Sequence, residues 1–436
     1  MSWIEMEESR VYKGKWWIPS NPEDLVSGHL TIQPNGVVKL ELIGSFEKRE
    51  KGGDLERVDS VIYGLSFAPN NHAKEISLFD CHSASTWNPS LPFTITRYTC
   101  RFALVGVHVE TMSTPLFFKA QIHYDELTYW CPPNNIRTAW SDSEISLTVK
   151  TVDEESSKMA TICMDDGYTL NLKENCNYNH PKDFAVYADQ LTCLEVLKEE
   201  ICAEEAVMMA RQMERFLSLA TLLPVEHTKI WLYSKEESQT SEKGETYYHA
   251  IELVTYLYKD RPEKIQDHNF LFKYSDVADV FPDMFKRMYS SESVSLIWTM
   301  LLDSLEKKRV FTSNDFLLVA QALDGFAKRF RKGKHIENEF TELRDEFKDI
   351  GRLNLTDEDL KEAAGSRNYY SHVLRVDLKE DKKAQDGFKL YDLMGRMRVL
   401  LICCVMDFLG LDHAKINQLL NNSNNAALRP RKRGEA

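Results

Sequence analysis

Arginine and histidine occur with four to six residues between them four times in this sequence: Arg101/His108, Arg261/His268, Arg329/His335 and Arg367/His372. The combination has a chemistry. An imidazole that titrates near neutrality can take a proton from an attacking hydroxyl and return one to a leaving oxygen. A guanidinium, always charged and able to make two parallel contacts, suits the oxygens of a phosphoryl group. Together they are a minimal set for breaking an RNA strand through its own 2′-hydroxyl without a metal. Spacing alone does not select a pair, because 22 Arg and 12 His placed at random would give about 0.6 Arg-x4-His matches in 436 residues.

Context selects among them. Arg101 and His108 lie an odd number of residues apart on a predicted strand and so point to opposite faces. Arg261/His268 spans a Pro-containing loop, and Arg329/His335 spans Lys332-Gly333-Lys334, a predicted helix end. Arg367/His372 sits in Gly365-Ser366-Arg367-Asn368-Tyr369-Tyr370-Ser371-His372. There a helix is expected to restart after Gly365 with Ser366 as N-cap. Arg367 would then lie in a first turn, where free N–H groups favour a phosphate. Asn368 and His372, four apart, would share a face, letting Asn368 orient the imidazole. The competing reading makes His372 a solvated or core-edge histidine and pairs Arg367 with a nearby acid.

The elements that must position this pair come in two kinds. Residues 1–180 read as β-rich. The runs 28–33, 37–43, 61–65, 101–109 and 145–149 are rich in β-branched residues, separated by turns such as Pro34-Asn35-Gly36. Many short strands predict a sandwich or partly closed barrel, with Trp16, Trp17, Trp87, Trp130 and Trp140 packing its core or lining a face. Residues 181–275 read as a connector. Near-helical spacing of Leu191, Leu194, Ile201, Met208 and Phe216 predicts a helix over 189–223, and two strands at 229–233 and 249–258 flank an exposed loop. Residues 276–425 read as a helical bundle, with helices over 283–289, 293–308, 313–331, 338–350, 357–375 and 391–409. Thr356 followed by Asp359 is a start signal for one of them. Residues 426–436 are a basic tail, expected to be disordered.

Composition narrows the class. With 43% hydrophobic and 28% charged residues the chain reads as a globular protein of two or three domains. The start, MSWIEMEESR, has no basic-then-apolar leader, and the most apolar stretch, 399–406, is too short to span a bilayer, so a cytoplasmic home is expected. That helix is apolar almost all round, which predicts burial on both sides, in the bundle or at an interface between copies. Nine Cys without a CxxC spacing read as free thiols. Cys81, His82 and Cys100 are the set weighed for zinc, but zinc ligands normally come in close pairs, and no metal or other cofactor is expected. A net charge of −13 argues against non-specific coating of nucleic acid. It leaves room for a local basic surface, for which Lys328, Arg329, Arg331, Lys332 and Lys334 are the candidates, either facing RNA or simply closing a helix.

Ser-Arg-Asn-Tyr-Tyr-Ser-His, late in a helical bundle, resembles the Arg-x4–6-His signature of HEPN domains. The order of a β-rich region, a connector and a C-terminal bundle is similar to the ApeA-type anti-phage proteins. The likeness in architecture covers nearly the whole chain, and in motif about residues 313–375. It implies an α+β multidomain chain ending in an all-helical HEPN domain, and a metal-independent endoribonuclease of abortive-infection defence, with a site composed at a dimer interface. Arg367 and His372 would be catalytic and Asn368 supporting. RNA, tRNA included, would be the substrate. A homodimer or higher oligomer is expected, with a phage-derived activator sensed by the N-terminal region and no membrane partner. The rival readings are a catalytically inactive dimeric scaffold and a nucleotide-binding regulator. The presence of both Arg367 and His372 speaks against the first, and the absence of GxxxxGK[ST] or GxGxxG against the second.

Overall fold

The computed structural model describes residues 8–46, 57–58, 61–67, 73–86, 95–141, 145–150, 155–178, 188–241, 244, 246–257, 270–305, 311–331, 336–373, 375, 383–425 and 428. They fall into two compact units: Met1–Asp125 with Thr148–Arg211 and Glu226–Glu263, and Glu126–Leu147 with Gln212–Val225 and Lys264–Ala436.

The first unit is built on antiparallel strands. Six of them, β1 (Arg10–Trp17), β2 (Val26–Ile32), β3 (Val38–Ile43), β5 (Ile62–Phe67), β6 (Ala73–Thr86) and β7 (Ile95–Val105), close on themselves in the order β7-β3-β2-β1-β5-β6-β7, and the short β4 (Arg57–Val58) pairs with β6. Of the two expected architectures the ring is therefore a barrel, and its closure removes the open edges that a sandwich leaves. Inward positions alternate along β3 and β5, and Trp16, Leu30, Leu40, Leu42, Ile62, Ile76 and Leu78 fill the interior. Gly64 is required there, because a Cβ on it would meet the Trp16 ring at 2.2 Å. The Pro34-Asn35-Gly36 turn joins β2 to β3 with Gly36 at φ +74°.

The C-terminal half of β7 also pairs with β15 (Thr246–Thr255), and the sheet runs on through β14 (Lys229–Thr240), β8 (Phe117–His123), β13 (Ala188–Ile201), β12 (Thr169–Tyr178) and β11 (Lys158–Cys163). Arg10 on β1 clamps Glu252 on β15 through two contacts of 2.5 and 2.8 Å. Two sequence expectations change here. The predicted helix over 189–223 is a strand, β13, as far as Ile201, and only then α2 (Ala203–Thr221). Residues 192–196 of β13 are buried in succession, so the strand shows no in-out alternation and its leucines mimic a helical period. The expected exposed loop at 234–245 is mostly strand: β14 and β15 continue as a ribbon whose outer arms are exposed and hence polar on both faces.

Trp16 and Trp130 are fully buried, while the side chains of Trp87 and Trp140 lie outside the described residues. Cys81 and Cys100 face each other across β6 and β7, their sulfurs 3.1 Å apart in the core, and His82 points to the exposed side. Among the described residues no three metal-ligating side chains gather.

The second unit holds α1 (Asp125–Trp130), β9 (Ile136–Trp140), which pairs with β10 (Ile145–Val149), and the second half of α2. Among the described residues eight helices follow: α3 (Tyr274–Val277), α4 (Phe281–Ser290), α5 (Glu292–Leu305), α6 (Ser313–Phe330), α7 (Ile336–Glu346), α8 (Asp357–Ser371), α9 (Gly387–Phe408) and α10 (His413–Asn422). The chain is thus α+β, a β-rich N-terminal part and a helical C-terminal one. α9 is the axis: it packs against α5, α6, α7 and α10, and 399–406 is buried throughout. No described helix is long and apolar enough to cross a membrane.

Replacing Gly64 with Ala should overpack the barrel at Trp16 and cost about 1–3 kcal/mol. Urea unfolding followed by tryptophan fluorescence checks this; an unchanged midpoint would show that the ring can move aside.

Candidate active site

α8 carries the Arg/His pair, and its start behaves as the sequence indicates. Thr356 accepts a hydrogen bond from the Asp359 N–H (3.2 Å), and Asp359 accepts from the Thr356 N–H (2.9 Å). Arg396 of α9 reaches the same carboxylate at 2.5 Å. Burial works to raise the Asp359 pKa, but the Arg396 and Thr356 hydrogen bonds outweigh it and hold the group below the ordinary carboxylate range. Arg344 of α7 adds a bond to Asp357 at 2.7 Å.

The middle of α8 differs from expectation. The helix does not break at Gly365 and restart; it runs unbroken from Asp357 to Ser371. Ser366 is therefore no N-cap. It is fully buried, and its hydroxyl accepts from the Gln385 N–H at 2.9 Å, while the Tyr370 hydroxyl donates to the Gln385 carbonyl at 2.8 Å. Together they pin the segment entering α9 against α8. Gly365 alone is too weak a signal to stop a helix that is capped at its start and packed along its length.

Arg367 consequently lies just before the last turn and not in a first turn, and His372 is the C-cap residue, its N–H bonded to the Asn368 carbonyl at 3.3 Å. The end of the helix presents carbonyls, which favour a cation rather than a phosphate. Arg367 Nη2 contacts Asp324 Oδ2 of α6 at 3.4 Å, and Nη1 donates to Asn368 Oδ1 at 3.1 Å. Its Nε is buried and has no partner. Asn368 thus spends its side-chain oxygen on the guanidinium. His372 is exposed, and the next residue, Val373, is 88% exposed at φ +48°.

Asp324 was missed by sequence reasoning, being 43 residues from Arg367 with no motif to mark it. It also takes Lys328 Nζ at 2.7 Å and lies against the Glu339 carboxyl of α7. Burial tends to raise its pKa, but Lys328, Glu339 and Arg367 together lower it. Glu339, only 1% exposed, is pushed up to about 7 by burial first, then by the hydrogen bond to Asp324 and by its charge.

The basic cluster is largely engaged within the bundle. Lys328 pairs with Asp324, and Arg331 with Glu346 (2.8 Å) and Asp407 (2.7 Å), joining α6, α7 and α9. Arg329 is exposed, and Lys332 and Lys334 lie outside the described residues, as does the 429–433 tail.

The chain thus combines a closed antiparallel barrel and its sheet extension with helices, one of which carries an Arg and a His near its C-terminal end. The model of the ApeA N-terminal domain 1 matches residues 11–288, and that of the Apea-like HEPN domain matches residues 334–415. The chain belongs to the ApeA-type HEPN family. That family is consistent with nuclease-type anti-phage defence, and HEPN domains generally dimerise and act on RNA. Neither the curated proteins nor the solved structures include a significant match.

Arg331→Ala should leave Glu346 and Asp407 facing each other without their shared cation, lowering stability by about 1–3 kcal/mol. Thr356→Ala should cost about 1 kcal/mol through the lost cap. Thermal melts of both variants check the order; an Arg331→Ala protein as stable as the parent would reduce the cluster to surface decoration.

Proposed function

We propose that this chain is a metal-independent endoribonuclease of anti-phage, abortive-infection defence, with Arg367 and His372 as its reacting pair and tRNA among its candidate substrates. The observation that carries the reading is the division of roles at the end of α8. Arg367 is tied on two sides by Asp324 and Asn368, while His372 stands exposed one turn on. A fixed cation and an accessible imidazole near the same helix end are the two group types that phosphoryl chemistry needs.

The steps follow from these groups. His372 takes the 2′-hydroxyl proton as that oxygen bonds to phosphorus. Arg367 stabilises the charge gathering on the phosphoryl oxygens. The bond to the 5′-oxygen breaks and that oxygen is protonated by an imidazolium, leaving a 2′,3′-cyclic phosphate and a 5′-hydroxyl. A homodimer would supply two such pairs, so that one imidazole accepts while the other donates. Asn368 acts here as a positioning group, through Arg367. The β-rich N-terminal region is proposed to gate the site by sensing a phage-derived component.

End analysis of RNA from cells expressing the parent and its variants tests this. His372→Ala should lower cleavage about 10²–10⁴-fold. Arg367→Lys should fail as badly, since an ammonium lacks the planar two-point contact. Asn368→Ala should cost less, and EDTA should change nothing. Full cleavage by a folded His372→Ala protein, or cleavage restored only by Mg²⁺, would overturn the assignment. Light scattering should show a dimer or larger species, and an active monomer would remove the shared site.

A further inference from the structure

Glu339 and Asp324 are two carboxyl groups in contact, one on α7 and one on α6. Glu339 is 1% exposed, and neither of its oxygens receives a hydrogen bond from any N–H or O–H donor among the described residues. A buried carboxylate without donors is unfavourable, and two touching carboxylates repel. One proton between them removes both problems: Glu339 donates it to Asp324, whose own charge is already held by Lys328 at 2.7 Å and Arg367 at 3.4 Å. We propose that Glu339 is a positioning residue of the site, whose carboxyl proton fixes Asp324 beneath Arg367 and whose loss switches the site down. The inference rests on the nuclease reading above.

The groups facing Glu339 determine the sign. From α6 come Asp324 and Lys328, from α8 Arg367 behind Asp324, and from its own helix Glu342. With the proton in place, one negative charge is shared by two cations, and the guanidinium keeps net positive potential toward a phosphate. Without it, a second buried anion draws on Lys328 and Arg367 and cancels that potential. Burial and Asp324 raise the Glu339 carboxyl to about 7, so loss comes on the alkaline side, as pH rises through neutrality. The proton passes to solvent and no bond other than O–H changes.

Glu339→Gln keeps the shape and the donor but cannot ionise. Cleavage of a 5′-labelled single-stranded RNA by the purified full chain should be measured from pH 6 to 8.5 for the parent and the variant. Every other titration, including any at His372, is common to both and cancels in their ratio. The variant should match the parent near pH 6 and exceed it by about tenfold at pH 8 if the ionised form is inactive. A constant ratio overturns the inference while leaving the nuclease reading intact; activity that survives His372→Ala overturns that reading instead. Infrared spectra supply a readout independent of turnover and of the variant's folding. The parent should show a protonated-carboxyl band at pH 6 that fades by pH 8, and Asp324→Asn, which removes the negative neighbour but not the burial, should weaken that band at pH 6. No such band in the parent at pH 6 also overturns the proposal.

Discussion

Much of the helical unit depends on one carboxylate being claimed from three sides. Asp324 is mostly buried on α6, yet it stays ionised because Lys328 one turn on and Arg367 from α8 offset its burial, with Glu339 of α7 closing the remaining side. An isolated carboxylate at that depth would be strongly unfavourable. The reciprocal holds for Arg367, whose guanidinium could not be left partly buried without an anion. α6, α7 and α8 are therefore mutually constrained around Arg367. The same pairing that stabilises the bundle also fixes the orientation of the guanidinium, with Asn368 holding a second nitrogen.

What the sequence disclosed of this follows from how far each interaction reaches along the chain. The Thr356/Asp359 cap spans three residues and is legible. So are most helix bodies, whose apolar periodicity is local. The Arg367/His372 motif is legible as residue types but not as geometry. Gly365 and Ser366 read as a break, because nothing local reveals that Ser366 will be buried against Gln385 or that α8 is packed along its length. Asp324 and Glu339, 43 and 28 residues before Arg367, carry no pattern at all; only the fold brings them together. The reading that paired Arg367 with a nearby acid and the reading that made it a phosphate ligand are both compatible with what is seen, since the Asp324 contact occupies one edge of the guanidinium.

The β unit errs in the opposite direction, and for a complementary reason. Alternation marks strands that have one wet face, as in β3 and β5 of the barrel. The middle of β13, covered on both faces, and the outer β14–β15 ribbon, covered on neither, lose that signal, so their sequences predict helix and loop. Barrel closure is likewise invisible locally: it is the pairing of β3 with β7 and of β1 with β5, strands far apart in sequence, that turns a run of hairpins into a ring.

Charge clustering in sequence is a poor guide to a basic surface here. Lys328, Arg331, Arg344, Lys383 and Arg396 each meet an acid, and most of those acids come from another helix or a distant part of the chain. Their charges serve cohesion between helices, as expected in a chain of net charge −13. An anionic strand approaching this unit would find these cations already compensated, so little attraction would come from them at long range. For the proposed reaction this shifts recognition from broad electrostatic capture to local geometry: a phosphate is held only where an arginine retains unsatisfied donors. In the proposed site Arg367 would meet that condition through the second N–H of each Nη, its Nε being buried. Selectivity for a strand that can bend its backbone into such a site, as an RNA loop does, then arises from shape more than from charge.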